Sequence, residues 1–425
     1  MSANGVSDTR RYIQLALITL AGGAIYPLIY LRQNFEVSIL DSFGISMTQL
    51  GHCYSLLGVM FVVTYIPSGW LADRVSPRWL ISFSLVLTGI LGLWFSTMPG
   101  YWELRIIFFS WGIATGLTFW AAMIKGVALL AGSGEQGRFF GILDGGRGLV
   151  EAILASIAVA WFSYSLTSLD EPTSVALKKV IYFYVGFTLL VAPVVLLILD
   201  DVKIDSEGKQ SAVKRVTQLT TWQSLRVIMK SREVWLCAIC IWAGYQVFWA
   251  TYSFSGYLQT QFGMSAVAVG VITVAKLWMR PIGAIGAGFV GDFFNLEKTL
   301  GWLLLASTVS LLVLIYVPSG ASASLLLVIV LMIGLLTYAV RGIFWGTLNR
   351  ADIPEQTKGL AIGVVSFIGY SPDIYLPLIN GPILECWPGR MGYSIYFGII
   401  AVSGLIGVAA AFRLQKLVSE LGRQQ

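Results

Sequence analysis

Charged side chains set deep inside long apolar stretches are the residues of this chain that could do chemistry. Asp144, Arg147 and Glu151 recur at i+3 and i+4 and so share one helix face. Lys276 and Arg280 are four apart, and Pro281 after Arg280 predicts a local kink. Lys125, Arg341 and Asp373 stand singly in other apolar runs. Ionisable groups at membrane depth are expensive and usually functional. Five basic groups face three acids in this set, and an excess of cations in a low-dielectric cavity calls for an anion. The substrate is the economical supplier, held by planar guanidinium groups. Its expected class is a small organic anion, such as a sugar acid, a phosphate ester or another carboxylate. Asp144, Glu151 and Asp373 are the candidate proton-coupling groups. The competing reading of the first three residues is a self-neutralising ladder, with Arg147 as its centre.

The chain that must position these groups has 425 residues, 56% of them hydrophobic and 12% charged, with mean hydropathy +0.77. A soluble protein carries about 25% charged residues, so the solvent here is lipid. A span needs about 20 apolar residues. Twelve are expected, at 11–31, 47–71, 78–97, 101–128, 138–164, 178–200, 230–258, 265–290, 298–317, 322–348, 358–384 and 391–413. With a rise of about 1.5 Å per residue, Asp144 lies about 9 Å and Glu151 about 20 Å inside Arg138. The polar segment 201–229 separates a first half, 1–200, from a second, 230–425. Lys and Arg concentrate on one side of the spans, which places both termini and the linker in the cytoplasm. The net charge of +6 follows from that bias, and no nucleic-acid-binding pattern accompanies it. Cys237 and Cys240 form a CxxC within an apolar helix, where buried small hydrophobes are expected rather than a metal site.

The halves repeat each other. Gly69-Trp-Leu-Ala-Asp73-Arg74-Val-Ser-Pro-Arg78 is echoed by Gly288-Phe-Val-Gly-Asp292, and Glu135-Gln-Gly-Arg138 by Glu355-Gln-Thr-Lys358, at nearly the same offset. Internal repeats of this kind mark transporters built by duplication. The pattern resembles the major facilitator superfamily across essentially the whole chain, through Gly69, Asp73, Arg74 and Arg78. Met98-Pro-Gly-Tyr-Trp102, Gly146-Arg-Gly148 and Ser366-Phe-Ile-Gly-Tyr370 are similar to a bacterial branch typified by YihN. The resemblance implies an all-α membrane protein: two pseudo-symmetric six-helix bundles around a central cavity, with alternating access by rocking. It also implies gating by the loop motif: Gly69 for close helix approach, Asp73 against a helix N-terminus, and Arg74 and Arg78 tying helix ends. Gly288 and Asp292 keep only the skeleton of that motif.

Spans 1 and 7 occupy matching places. Tyr26 and Tyr30 on one, and Tyr245, Gln246, Trp249 and Tyr252 on the other, suit a substrate with hydroxyls; Tyr370 adds to them from span 11. The expected substrate contacts are therefore Tyr26, Tyr30, Lys125, Arg147, Gln246, Trp249, Lys276, Arg280, Arg341 and Tyr370. Neither span 1 nor span 7 carries a mid-depth arginine, unlike organophosphate:phosphate antiporters, and span 5 has Gly145-Gly146-Arg147-Gly148 where drug/proton exchangers carry Gly-Pro. No phosphate-binding loop or nucleophile elbow occurs, so neither an enzyme nor a nucleotide-driven pump is expected. The leading expectation is a monomeric, multi-pass carrier of the bacterial inner membrane, without cofactor or metal, importing a small organic anion with protons. A proton-driven exporter of drugs or metabolites is the alternative.

Overall fold

A computed structural model describes residues 8–72, 74–131, 136–200, 221–350 and 358–421. Among them there is no strand. Twelve helical stretches are long and apolar enough to cross a membrane: Asp8–Phe43, Met47–Tyr65, Pro77–Phe95, Tyr101–Leu130, Arg138–Thr167, Thr173–Ile198, Arg232–Phe262, Ala266–Gly291, Leu296–Tyr316, Ala323–Leu348, Ala361–Cys386 and Arg390–Glu420. These are spans 1–12, and the chain is a multi-pass membrane protein of two six-helix bundles. Lipid offers no hydrogen bonds to the backbone, so helices close their own.

Several spans are broken where they border the centre. Span 1 is three pieces, Asp8–Ala24, Tyr26–Ile29 and Arg32–Phe43, with Pro27 at the first break. Span 4 loosens to a π-helical turn at Ala114–Trp120, and span 7 tightens to a 3-10 turn at Thr251–Ser253. Such turns free backbone carbonyls and re-aim side chains.

Span 1 runs well beyond the end expected at residue 31. Arg32 and Glu36, which look like a helix end and a loop acid, are both buried within it. Arg32 Nη2 lies 2.5 Å from Glu36 Oε2, with the two side chains 1% and 0% exposed. The pair is mutually neutralising, which lets apolar neighbours close over it. Arg32 also lies 5.2 Å from the centroid of the Tyr54 ring.

At the end remote from the termini the two bundles touch closely. A Cβ on Gly51 would strike the carbonyl of Pro377, one on Gly58 the backbone of Asp373, and one on Gly381 the backbone of Thr48. Glycine is needed at these three positions for helix-on-helix approach. The Thr48 amide donates to Glu385 at 2.8 Å, and the Glu36 amide donates to Ser255 Oγ at 3.4 Å. Nearer the termini the bundles meet through spans 5 and 8.

The expectation for the two repeated glycines is not met. A Cβ on Gly69 or Gly288 would meet nothing within 4 Å, so neither mediates close approach in this conformation; that role falls to Gly51, Gly58 and Gly381. Arg74 is exposed and folds back on its own helix end, donating to the Trp70 carbonyl at 3.3 Å and lying 4.1 Å from that ring's centroid. Arg78 lies over Trp79 at 5.4 Å. Asp73, residues 201–220 of the linker, Glu135, Glu355 and the side chain of Asp292 lie outside the described residues. Cys237 and Cys240 are buried in span 7.

Gly51→Ala and Gly381→Ala each press a methyl against backbone, which cannot swing away. Each is expected to cost about 1–3 kcal/mol of the sealed arrangement. The check is labelling of cysteines placed at the remote end, which should speed up; unchanged labelling would show that the seal does not depend on these contacts.

Candidate substrate cavity

The centre of the molecule holds a cavity walled by both bundles. Tyr26, Tyr30, Tyr65, Trp120, Arg147 and Glu151 line it from the first; Tyr245, Tyr252, Arg280, Tyr338, Arg341, Tyr370 and Asp373 line it from the second. Nearly all are aromatics with a polar tip or charged groups, which can hold a hydroxylated ion and slide an apolar face past it.

Arg280 joins the halves. Its Nη2 donates to Asp144 Oδ1 at 2.7 Å and its Nη1 to Glu151 Oε2 at 2.9 Å. Span 8 thus places one guanidinium against two carboxylates seven residues apart on span 5. A Cβ at Gly148 would sit 2.6 Å from Arg280 Cδ, so the glycine is the slot through which the arginine reaches both acids. The expected ladder within span 5 does not form. The wall of span 1 turns Arg147 away from both acids; no carboxylate oxygen among the described residues lies within 4 Å of it. Its Nε donates to the Gly22 carbonyl at 3.3 Å, and its guanidinium lies 5.4 Å from the Tyr26 ring centroid and 5.8 Å from that of Trp120. A Cβ on Gly22 would lie 2.8 Å from Arg147 Cδ.

Asp373 is held from one side. Its Oδ1 accepts from the Tyr245 hydroxyl at 2.7 Å and from Trp249 Nε1 at 2.6 Å. Both hydrogen bonds go to one oxygen. Trp345 Nε1 donates to the Tyr370 hydroxyl at 3.0 Å. Arg341 has no ion pair or hydrogen bond among the described residues; it lies 4.0 Å from the Phe248 ring centroid and 5.8 Å from that of Tyr245. Tyr30 and Tyr252 stack across the bundle interface at 5.2 Å and 8°.

Of the ten expected substrate contacts, Tyr26, Tyr30, Arg147, Arg280, Arg341 and Tyr370 border the cavity. Four do not. Trp249 is occupied with Asp373. Gln246 is 1% exposed and packed outside the wall, because the i+3/i+4 set of span 7 turns only Tyr245 and Tyr252 inward. Lys125 donates to the carbonyl of Ala72 at 2.7 Å and caps the helix Met47–Ala72 that contains span 2. Lys276 is fully buried behind the wall. Removing the two lysines shrinks the apparent cationic excess. Arg147 and Arg341 remain as cavity cations with no carboxylate within 4 Å. Sequence reasoning missed the roles of Gly22, which carried no local signal, and Gly148, whose only signal was glycine beside arginine in Gly146-Arg147-Gly148.

The chain belongs to the major facilitator superfamily, whose family model matches residues 13–377. It is 28% identical to inner membrane protein YihN of Escherichia coli strain K12, over 97% of each chain, and 27% identical to inner membrane protein YqcE of the same organism, over 96% of each. More distant full-length relatives are a D-galactonate transporter of Escherichia coli, 21% identical over 93% of this chain and 94% of the relative, and a glycerol-3-phosphate transporter of Bacillus subtilis, 23% identical over 85% and 83%. The same fold is seen in a bacterial homologue of the human lysosomal transporter Spinster, crystallised inward-facing and unoccupied. The TM-score is 0.76 at 15% identity, covering 98% of this chain and 99% of that one. The family and the relatives named for an activity are transporters, not enzymes.

Removing one partner from the bridge leaves a charge in a drying site. Arg280→Met is expected to destabilise the fold by roughly 2 kcal/mol, less than the 3–5 of a fully buried pair because the acids are partly wetted. Glu151→Gln should cost more than Asp144→Asn, since the side chains are 20% and 45% exposed. Thermal unfolding of the three variants and of Arg280→Met/Glu151→Gln checks this; additive losses would mean no coupling across the halves.

Proposed function

We propose that this member of the major facilitator superfamily imports a small hydroxylated organic anion, coupled to protons, by alternating access across a bacterial inner membrane. The observation that carries the reading is the pair of uncompensated arginines: Arg147 of the first bundle and Arg341 of the second border one cavity, and neither has a carboxylate within 4 Å among the described residues. An anion between bundles would draw both toward it, since charge-assisted hydrogen bonds are about twice as strong as neutral ones. The tyrosines around it supply hydroxyls for a polyol chain.

The relatives point the same way. Relatives named for a substrate include a D-galactonate transporter, a glycerol-3-phosphate transporter and, in Bacillus subtilis, a protein named as a probable galactarate/D-glucarate transporter, all for hydroxylated anions. Inner-membrane placement is supported by the names of YihN and YqcE, and cytoplasmic termini by the Lys/Arg bias of the loops. With that orientation, the seal of Gly51, Gly58 and Gly381 is periplasmic and the cavity is served from the cytoplasm. Rocking about the Arg280 contact would break the seal and carry the anion through. Asp373 and the Glu151–Asp144 pair are the acids on the path, the most direct candidates for relaying a proton. Arg74, Arg78 and Asp73 would latch the cytoplasmic ends in the opposite state. An exporter of apolar drugs would leave Arg147 and Arg341 with nothing to do.

Thermal-shift titration of the purified protein with D-galactonate, D-glucarate, glycerol 3-phosphate and inorganic phosphate tests the class, because a bound ligand raises apparent stability. At least one organic anion should bind. Arg147→Ala and Arg341→Ala should each weaken it about 10- to 100-fold, the worth of a charge-assisted hydrogen bond of about 1.5–3 kcal/mol. Unchanged affinity in both variants would refute the anion cavity. In proteoliposomes, an inward-acid gradient should speed uptake; faster loss of preloaded substrate under that gradient would identify an exporter.

A further inference from the structure

Lys276 is the one expected substrate contact whose placement asks for another explanation. It is 0% exposed, nearly three turns into span 8 from Ala266. No carboxylate among the described residues lies within 4 Å of it. Its Nζ reaches a single acceptor, the Thr251 carbonyl, at 3.4 Å, and lies 6.0 Å from the centroid of the Phe254 ring. Span 10 closes on its stem: a Cβ on Gly334 would lie 2.5 Å from Lys276 Cγ. The glycine therefore admits the lysine, and the lysine cannot stretch toward either surface as a snorkelling side chain does.

The acceptor it has chosen is informative. Thr251 opens the 3-10 turn that interrupts span 7, and the Thr251 hydroxyl is itself buried without a hydrogen-bond partner. Lys276 thus stands at the break of a helix that lines the cavity with Tyr252, the next residue along, and with Phe248, about one turn earlier. The charges of the surrounding elements are committed elsewhere. From span 5, Glu151 is held by Arg280. Span 1 brings Arg32 and Glu36, paired with each other. Span 10 meets it with Gly334 and carries Tyr338 one turn further on. An ammonium without a counter-ion in such a place is costly, and an uncharged amine is the cheaper occupant.

We propose that Lys276 is a proton-binding site of the transport cycle, uncharged while the remote end is sealed and protonated when that end opens and water reaches the amine. The proposal rests on the proton-coupled reading given above. In water a lysine amine holds its proton at neutral pH; resealing strips the ammonium of solvent, and the proton leaves the nitrogen past the Thr251 break for water that enters the central cavity beside Tyr252 from the other side. The proton thereby favours the open state and its loss favours the sealed one, so acid should open the remote end and alkali should close it.

The test follows the bundles rather than the substrate. Spin labels at Thr97 and Ser319, exposed at the remote ends of the two halves, report the opening by pulsed electron-electron distance measurement, in a Cys386→Ser background because Cys386 is the exposed cysteine. Between pH 8 and pH 5.5 the wild-type distances should shift toward the longer population. Lys276→Met keeps the volume without the amine; it should stay in the short population at every pH and unfold at a higher temperature. Lys276→Gln, which cannot take up a proton, should lose the pH response as well and serves if the methionine variant does not fold. A pH response that survives in these variants with its wild-type midpoint would overturn the role of Lys276 and leave coupling with Asp373 or Glu151. Wild-type distances that ignore pH would overturn the proton-coupled reading itself.

Discussion

The contact of Arg280 with Asp144 and Glu151 is what makes the two bundles one machine. Each bundle has an apolar cluster of its own and a third cluster spans both, but lipid gives no hydrophobic reason for them to associate. A guanidinium from span 8 set between two carboxylates of span 5 supplies directional attraction across the interface. It also settles the electrostatics of everything nearby. With Arg280 satisfied by two acids, Arg147 is released from its own helix to face Tyr26 and Trp120, and Arg341 is left over the Phe248 ring. Arg147 and Arg341 face the cavity as cations because Asp144 and Glu151, which could have quenched them, are engaged by Arg280.

Much of the architecture was legible in the chain. The number of spans and their division follow from apolar run lengths, since the bilayer sets a length that the chain must meet. The placement of Asp144, Arg147, Glu151, Arg280, Arg341 and Asp373 within those spans was legible for the same reason. Their pairing was not. Helical spacing says that Asp144, Arg147 and Glu151 share a face, but it says nothing of a fourth residue on another helix that outcompetes Arg147 for both acids. Nor does spacing distinguish Tyr245 from Gln246, or predict that Trp249 is taken by Asp373.

The glycines show the same limit from the other side. Gly69 and Gly288 drew attention because they repeat, yet both face open space in this conformation. Gly22 and Gly148 make room for arginine side chains, and Gly51, Gly58 and Gly381 make room for the opposite helix. A missing Cβ becomes meaningful only when the atom it would have struck is known, and that atom is usually far away in sequence.

The buried Arg32–Glu36 pair has a consequence for heat. Both partners ride on one helix, so they stay together whether the remote end is shut or open. What changes is their hydration: shut, they are dry; open, water can reach them. Water solvates ions less favourably as temperature rises, so the penalty for drying this pair shrinks with warming. Under the proposed alternating access, the remote seal would therefore tighten, relative to its open counterpart, as the membrane gets hotter. A salt pair that contributes little to holding the helix together would then make the balance between the two states depend on temperature.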